Sequence, residues 1–384
     1  MGKTILYVSC LCSKQMENNL LKVNPGSVGL QAQKYHRLLA EGMKLNGVSV
    51  TVLTYNKAIA KVYTSQFLLE EEVNGIRYMY LIAHAKGAGR YLQVMQQAFI
   101  QSYRFLRTNP DAMVLCDVLN FSVSMGALLA AKLLHRKIIG IVTDFPEMLP
   151  NIAGMKKMYW WLINHCTEYV LLTEAMCDRV CVQDKKYIVL EGHVDGKMSE
   201  VENSIENKWP HINCVYAGML HKKYGIENLV KAFQMADVKD AYLHIYGDGD
   251  YAEELKKGTD DRIIYHGIVP NEEVVNAEIH STLLINPRPS KEEFTKYSFP
   301  SKNMEYMASG TPVLTTDLPG MPKEYKPHIY VFEDETVEGM ASTLQTVLSL
   351  TKQELHQMGM QAKSYVLANK TNQAQAKRIL SELF

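Results

Sequence analysis

Residues 297–313 read Tyr297-Ser298-Phe299-Pro300-Ser301-Lys302-Asn303-Met304-Glu305-Tyr306-Met307-Ala308-Ser309-Gly310-Thr311-Pro312-Val313. The pattern predicts a loop, a short helix, a tight stop and a buried strand. Pro300 suits the first turn of a helix, where its missing N–H costs nothing, and Gly310 suits a left-handed stop. Pro312–Thr316 then reads as the next parallel strand. The unpaired N–H groups at the helix start form an anion site, with Ser301 and Lys302 beside it. Ser301 and Glu305 stand four apart and share a face. A carboxylate one turn behind a phosphate site is placed to accept hydrogen bonds from ribose hydroxyls, so the stretch describes a nucleotide-diphosphate pocket.

The 384 residues suffice for two domains, each with its own core. Hydrophobic content of 47% and charged content of 21% describe a globular chain. A formal net charge of zero argues against a general nucleic-acid binder. That balance hides an asymmetry: residues 1–198 hold 22 Lys and Arg against 15 Asp and Glu, and the remainder carries the opposite excess. A basic first half suits anionic lipid headgroups, or is simply a solvated surface. Seven cysteines without framework or zinc spacing read as reduced, buried thiols of a cytoplasmic protein. The N-terminus enters a strand at once, without a signal-peptide pattern, and no apolar run is long enough to span a membrane.

Short apolar, β-branched runs alternate with helical patterns, the mark of parallel sheets with crossover helices. Strands are expected at 5–9, 48–54, 76–81, 113–116, 138–143, 169–173 and 187–190 in the first half. In the second they are expected at 213–216, 242–246, 263–266, 282–286, 312–316 and 329–332. The fold class is therefore α/β, as two Rossmann-like doubly wound domains with a ligand cleft at the carboxyl ends of their strands. The expected division is a domain over 1–195, a polar linker over 196–211, and a second domain over 212–368.

The stretch 297–313 resembles the donor-binding motif of retaining GT-B glycosyltransferases of the large family that includes sucrose synthases and bacterial polysaccharide glycosyltransferases (family 4-like). In that motif two glutamates are separated by seven residues. Glu305 matches the second, whereas Tyr297 occupies the place of the first. The resemblance implies that Tyr297, Ser298, Phe299, Ser301 and Glu305 line the donor site and that Lys302 neutralises phosphate. It further implies that the helix over 369–384 crosses back to pack on the first domain, and that the enzyme needs no bound metal or cofactor.

Other segments extend it. Gly26-Ser27-Val28-Gly29 before a helix over 30–45 resembles the glycine turn that brings backbone close to donor phosphate or acceptor, with Gly29 as its key residue; a plain glycine turn is the alternative. Thr143-Asp144-Phe145-Pro146-Glu147 ends a strand and resembles a segment whose aspartate handles the acceptor hydroxyl, against Asp144 as an N-cap or turn residue. The loop from Gly218 to Gly225 lacks the family's usual arginine and lysine, whose places hold Met219 and Tyr224, so Lys222, Lys223 or Arg288 would supply phosphate charge. Gly247 and Gly267 resemble the turns that approach the donor, the second beside the nucleobase. Asp248 and Asp250 form a D-x-D that reads as a turn rather than a metal site. Lys86-Gly87-Ala88-Gly89-Arg90 fails the dinucleotide fingerprint, because Leu92 stands where a third glycine is required. Lys156–Ile163 places a Trp pair beside lysines, suited either to core packing or to a membrane interface. His36, His84, His244 and His356 show no partner pattern.

These readings predict a retaining, metal-independent transferase moving a sugar from a nucleotide-diphosphate sugar, UDP-sugar favoured, to a saccharide or lipid-linked saccharide acceptor in polysaccharide or glycoconjugate synthesis. With polar residues missing at Met219, Tyr224 and Tyr297, a catalytically degenerate subunit that binds a partner or glycan is the rival. A nucleotide-sugar epimerase or hydrolase on the same fold is the third reading.

Overall fold

The computed structural model describes residues 2–23, 31–149, 154–180, 185–258 and 260–384. Gly29 lies outside them. Two compact units emerge: Met1–His193 together with Asn372–Phe384, and Val194–Thr371.

The first unit holds an eight-stranded sheet of β1 (Thr4–Ser9), β2 (Ser49–Thr54), β3 (Leu68–Val73), β4 (Ile76–Leu81), β5 (Met113–Asp117), β6 (Ile138–Val142), β7 (Glu168–Leu171) and β8 (Tyr187–Val189). Its order is β3-β4-β2-β1-β5-β6-β7-β8, parallel except for β3. Central strands such as β6 (Ile-Ile-Gly-Ile-Val) are buried along their whole length because helices cover both faces. The apolar-run criterion misses β3, Leu-Leu-Glu-Glu-Glu-Val, since an edge strand keeps one face in water. Its signal is the Asn74-Gly75 turn, whose φ values of 54° and 71° define a two-residue hairpin.

The second unit holds a six-stranded parallel sheet of β9 (Ile212–Ala217), β10 (Ala241–Tyr246), β11 (Ile263–Gly267), β12 (Leu283–Asn286), β13 (Val313–Thr316) and β14 (Tyr330–Phe332). The order β11-β10-β9-β12-β13-β14 is the doubly wound 3-2-1-4-5-6 arrangement, with its switch point between β9 and β12.

The unit boundaries correct the expected ones. Residues 196–211 lie within the second unit, because their polar side chains are spent on its backbone. Asn203 Nδ2 donates to the Ser309 carbonyl at 2.9 Å, and Lys208 Nζ to the Ile279 carbonyl at 2.8 Å and to Thr311 Oγ1 at 2.7 Å. Burial pushes the Lys208 ammonium down to about 7. The crossing helix starts at 372 rather than 369, since Asn369 ends the helix Lys352–Asn369 and Thr371 pairs with Val194. Helix Asn372–Glu382 packs on helix Gln31–Leu45 within the first unit. The two approach so closely at Gly42 that a Cβ there would meet the Asn372 carbonyl oxygen at 2.1 Å. Ile379, Leu380 and Leu383 join Leu39 and Met43 in that unit's core.

His193 closes the first unit, its Nε2 donating to the Tyr35 carbonyl at 2.9 Å. Burial pushes this imidazole down to about 4, against the pull of that carbonyl. The folded form therefore stays neutral while the unfolded chain takes up a proton near pH ~6.5. Stability should fall as pH drops from that value towards 4, by at most about 1.4 kcal/mol per pH unit for this group. Denaturant melts of His193→Gln against the parent should show a shallower acid-side slope; equal slopes would remove His193 as a cause.

Candidate functional site

The site grows from the loops at the switch point of the second sheet. Backbone bonds weave the loops after β9, β10 and β11 together: Gly218 N–H to the Tyr246 carbonyl at 3.0 Å, Leu220 N–H to the Asp248 carbonyl at 2.9 Å, and Gly247 N–H to the Gly267 carbonyl at 2.8 Å. Gly247 has φ 126°, and a Cβ there would stand 1.8 Å from the Gly218 carbonyl oxygen. Gly225, at φ 84°, would place a Cβ 2.0 Å from the Pro287 carbonyl oxygen. Glycine is what allows the β9 and β12 loops to touch across the switch point.

Helix Ser301–Ser309 enters this edge with Pro300 as its N-cap and stops at Gly310, φ 84°. Two polar ties fix it. Tyr306 Oη accepts from the Ala217 N–H at 2.8 Å and donates to the Ala217 carbonyl at 3.2 Å. Asn303 Oδ1 accepts from Asn286 Nδ2 at 2.6 Å, while its Nδ2 donates to Thr315 Oγ1 at 3.3 Å. The N-terminal turn, through Asn303, therefore lies by β12 and β13, while Tyr306 in the second half of the helix reaches the end of β9.

The cations divide by place. Arg288 lies at the switch point, its guanidinium 5.4 Å from the Tyr224 ring centroid and 4.6 Å from that of Phe294, with Nη2 donating to Ser298 Oγ at 3.1 Å. Lys222 turns to Glu227 at 3.2 Å, and Lys223 lies over the Tyr224 ring at 5.1 Å. Lys302 departs from the expectation of a cation facing the helix N-terminus. Its Nζ stands 2.9 Å from Glu305 Oε2 and 3.8 Å from Glu278 Oε1. Burial alone would lower this ammonium's pKa, but the two carboxylates outweigh it and raise it. Phe299 is also corrected: it is buried in the core, its ring 5.1 Å from that of Tyr325, because an apolar ring gains more there than at a phosphate site. Tyr297 is half-buried and ends the 3-10 turn Glu293–Lys296.

Gly267, φ 70°, ends β11 beside a cavity of about 340 Å³ lined by Tyr246, His266, Glu272, Glu273 and Asn276 among others. His266 stacks on Tyr246 at 4.2 Å and meets His244 Nδ1 at 3.0 Å, a pairing that the sequence left unmarked. A larger groove of about 760 Å³ runs along helix Lys352–Asn369, remote from the strand ends, and its lining carries no Lys, Arg, Asp or Glu. Asp248 and Asp250 serve the turn: Asp248 Oδ1 accepts from Gly249 N–H at 2.9 Å, and Asp250 accepts from Lys222 N–H at 3.0 Å and pairs with His221 at 3.2 Å.

In the first unit, Asp144 follows β6 at the carboxyl edge of the sheet. Next to it, Phe145 is buried and stacked against Arg179 at 4.3 Å. Sequence reading also missed a buried pair at this sheet's own switch point, between β1 and β5. His36 Nε2 stands 3.3 Å from Asp117 Oδ2, and Tyr7 Oη lies 2.8 Å from His36 Nδ1. Burial would raise the Asp117 carboxyl, but His36, the Leu119 N–H and the Ser9 hydroxyl hold it below the usual carboxylate range.

Residues 211–350 match the family model for glycosyl transferases group 1. Similar solved structures include a sucrose-phosphate synthase from Thermosynechococcus elongatus, at 14% identity over 99% of this chain and 98% of that one, TM-score 0.68. The Anabaena protein HepE in complex with UDP and glucose is 12% identical over 99% of each chain, TM-score 0.63. The apo form of the lipopolysaccharide outer core galactosyltransferase WaaB is 17% identical over 99% of each chain, TM-score 0.61. A search of characterised protein sequences finds no match. The fold of the whole chain is that of GT-B glycosyltransferases. More narrowly, residues 211–350 of the second unit carry a group 1 glycosyltransferase domain.

Replacing Tyr306 by Phe leaves the buried Ala217 N–H without its hydroxyl partner. Tyr306→Phe should cost about 1–3 kcal/mol in denaturant melts. Unchanged melts would show that the tie does not hold the helix.

Proposed function

We propose that the protein is a retaining transferase that moves a sugar from a nucleotide-diphosphate donor, a UDP-sugar in the first instance, to an acceptor hydroxyl in polysaccharide or glycoconjugate synthesis. The observation that carries this is the convergence of Arg288 and the N-terminus of helix Ser301–Ser309 on one switch point. HepE, solved with UDP, supports the choice of base. Departure of the diphosphate leaves an oxocarbenium-like sugar, so stabilising charge on the leaving group is the main catalytic task. In this reading Arg288, Ser301 and the helix N–H groups receive that charge, with Lys222 and Lys223 at the rim. Glu305, oriented by Lys302, accepts from the ribose hydroxyls. The half-buried Tyr297 flanks the donor sugar, and Gly218, Gly247 and Gly267 let the backbone close on the nucleotide. Asp144 orients the acceptor hydroxyl, which attacks from the face the diphosphate leaves, assisted by its phosphate. The D-x-D carboxylates are committed to their turn, which supports a metal-independent mechanism. A cytoplasmic enzyme drawing on soluble nucleotide sugars completes the proposal.

Thermal shift and mass spectrometry across UDP-, GDP- and dTDP-sugars test it directly. One donor should stabilise the protein and be consumed only with an acceptor. No shift and no nucleotide release with any of them would leave the catalytically degenerate subunit as the better reading; acceptor-independent turnover would favour an epimerase or hydrolase.

Arg288→Ala should lower kcat by about 10²–10³-fold, with Arg288→Lys recovering part of the loss. Lys222→Ala should change kcat little. Glu305→Ala and Lys302→Ala should both raise the donor KM, and Asp144→Asn should lower kcat while leaving donor binding intact. Parent kinetics in Arg288→Ala would sink the assignment of the leaving-group cation.

A further inference from the structure

The Trp pair of the first unit divides. Trp160 turns inward: its Nε1 donates to Glu147 Oε1 at 3.0 Å and its ring lies 5.7 Å from that of Phe145. Trp161 turns outward and is 41% exposed. Three other large apolar side chains of its helix and of helix Phe121–Leu133 are exposed as well: Met158 at 48%, Leu129 at 38% and Leu133 at 61%. Helical spacing sets Met158 and Trp161 on one face of helix Lys156–Asn164, and Leu129, Lys132 and Leu133 on one face of helix Phe121–Leu133. Lys132 Nζ, 5.3 Å above the Trp161 ring, joins the two faces.

Positive charge predominates around this patch, although Lys137 pairs with Glu168 at 2.6 Å and Glu147 lies near Lys156. Residues 129–137 and 154–165 contain five Lys and Arg and no Asp or Glu. Exposed apolar side chains in a monomer's surface call for an occupant when they cluster. Exposed apolar side chains beside lysines, with Lys132 over an outward indole, match the layered chemistry of a bilayer interface. There the acyl boundary takes Leu and Met, the headgroup level takes Trp, and anionic phosphates take Lys.

We propose that this face of the first unit, centred on Trp161 and Leu133, docks on an anionic lipid surface. The charge complementarity selects the lipid over a second copy of the chain, which would bring the same lysines face to face. The helix concerned also carries Trp160, packed on the residue that follows Asp144, so a docked helix adjoins the segment proposed to meet the acceptor. The surface itself rests on geometry and charge and is tested without donor or acceptor, so its failure is distinct from failure of the transferase reading.

The test is co-sedimentation of the full chain with vesicles of phosphatidylcholine alone or of phosphatidylcholine with phosphatidylglycerol. Binding should require the anionic lipid and should weaken when salt is raised from about 0.1 M to about 1 M. Trp161→Ser, and separately the pair Lys132→Glu with Lys157→Glu, should each lower the partition coefficient about tenfold or more without changing the melting temperature. Should Trp161→Ser fold poorly, Leu133→Gln at a largely exposed position carries the same expectation. Equal binding to neutral vesicles, no binding, or undiminished binding by the folded variants would overturn the proposal. So would a concentration-dependent dimer that these substitutions dissolve while vesicle binding is absent.

Discussion

Helix Ser301–Ser309 can present its N-terminus to a ligand only because it is tied to the sheet by polar bonds made in a dry interior. Tyr306 and Asn303 are 1% exposed, and their partners are the backbone of Ala217 and the side chains of Asn286 and Thr315. Apolar packing alone would hold the helix against the sheet without fixing how far it slides along the strands. Hydrogen bonds at low dielectric fix that coordinate, because a small shift leaves buried donors unmatched. Ala217 ends β9 and Asn286 ends β12, the two strands that flank the switch point, and Thr315 extends the Asn303 tie to β13.

That register sets the demands on the loops. With the helix fixed, the β9 loop must pass under Pro287 and against the turn after β10, and Gly225 and Gly247 remove the Cβ atoms that would forbid it. Arg288 then occupies the space between the β9 loop and the 293–296 turn, lying against the Tyr224 and Phe294 rings. A guanidinium suits this setting where an ammonium would not. Its flat face stacks on aromatic rings while its edge keeps donors in a fork that matches phosphate oxygens. Tyr224, which replaces a lysine expected from the family resemblance, thereby becomes the platform for a cation brought from the neighbouring strand.

The sheets were legible because central parallel strands are buried on both faces and show as apolar runs. β3 was not, since its three consecutive glutamates belong to an edge that the Asn74-Gly75 turn brings back on β4. The polar residues 196–211 looked like a linker because composition does not reveal that Asn203 and Lys208 donate to distant carbonyls. The helix bearing Ser301 and Glu305 was readable from its Pro and Gly punctuation. What its side chains do was less so. Phe299 sits within the motif yet faces the core, and the His36–Asp117 pair joins residues on separate elements that only the sheet order makes neighbours.

Lys302 shows most clearly why a motif underdetermines a site. Placed at the second position of a helix, a lysine reads as part of the anion site. Here the neighbouring helix Asn271–His280 contributes Glu278, 2% exposed, and a buried carboxylate is costly without a nearby cation. Lys302 stands near both Glu278 and Glu305 and is raised in pKa by them. Moving its ammonium to a phosphate would take it from two carboxylates, one of them inside the protein. The cheaper arrangement leaves Lys302 to hold Glu305 in place. Under the proposed function a diphosphate would be met by the helix N–H groups, which are oriented by the fold itself, and by Arg288, whose aromatic platform costs no buried charge. On that argument the ion pair and the anion site are separate parts of one helix, and the residue that departs from the family pattern, Tyr224, is what makes the separation workable.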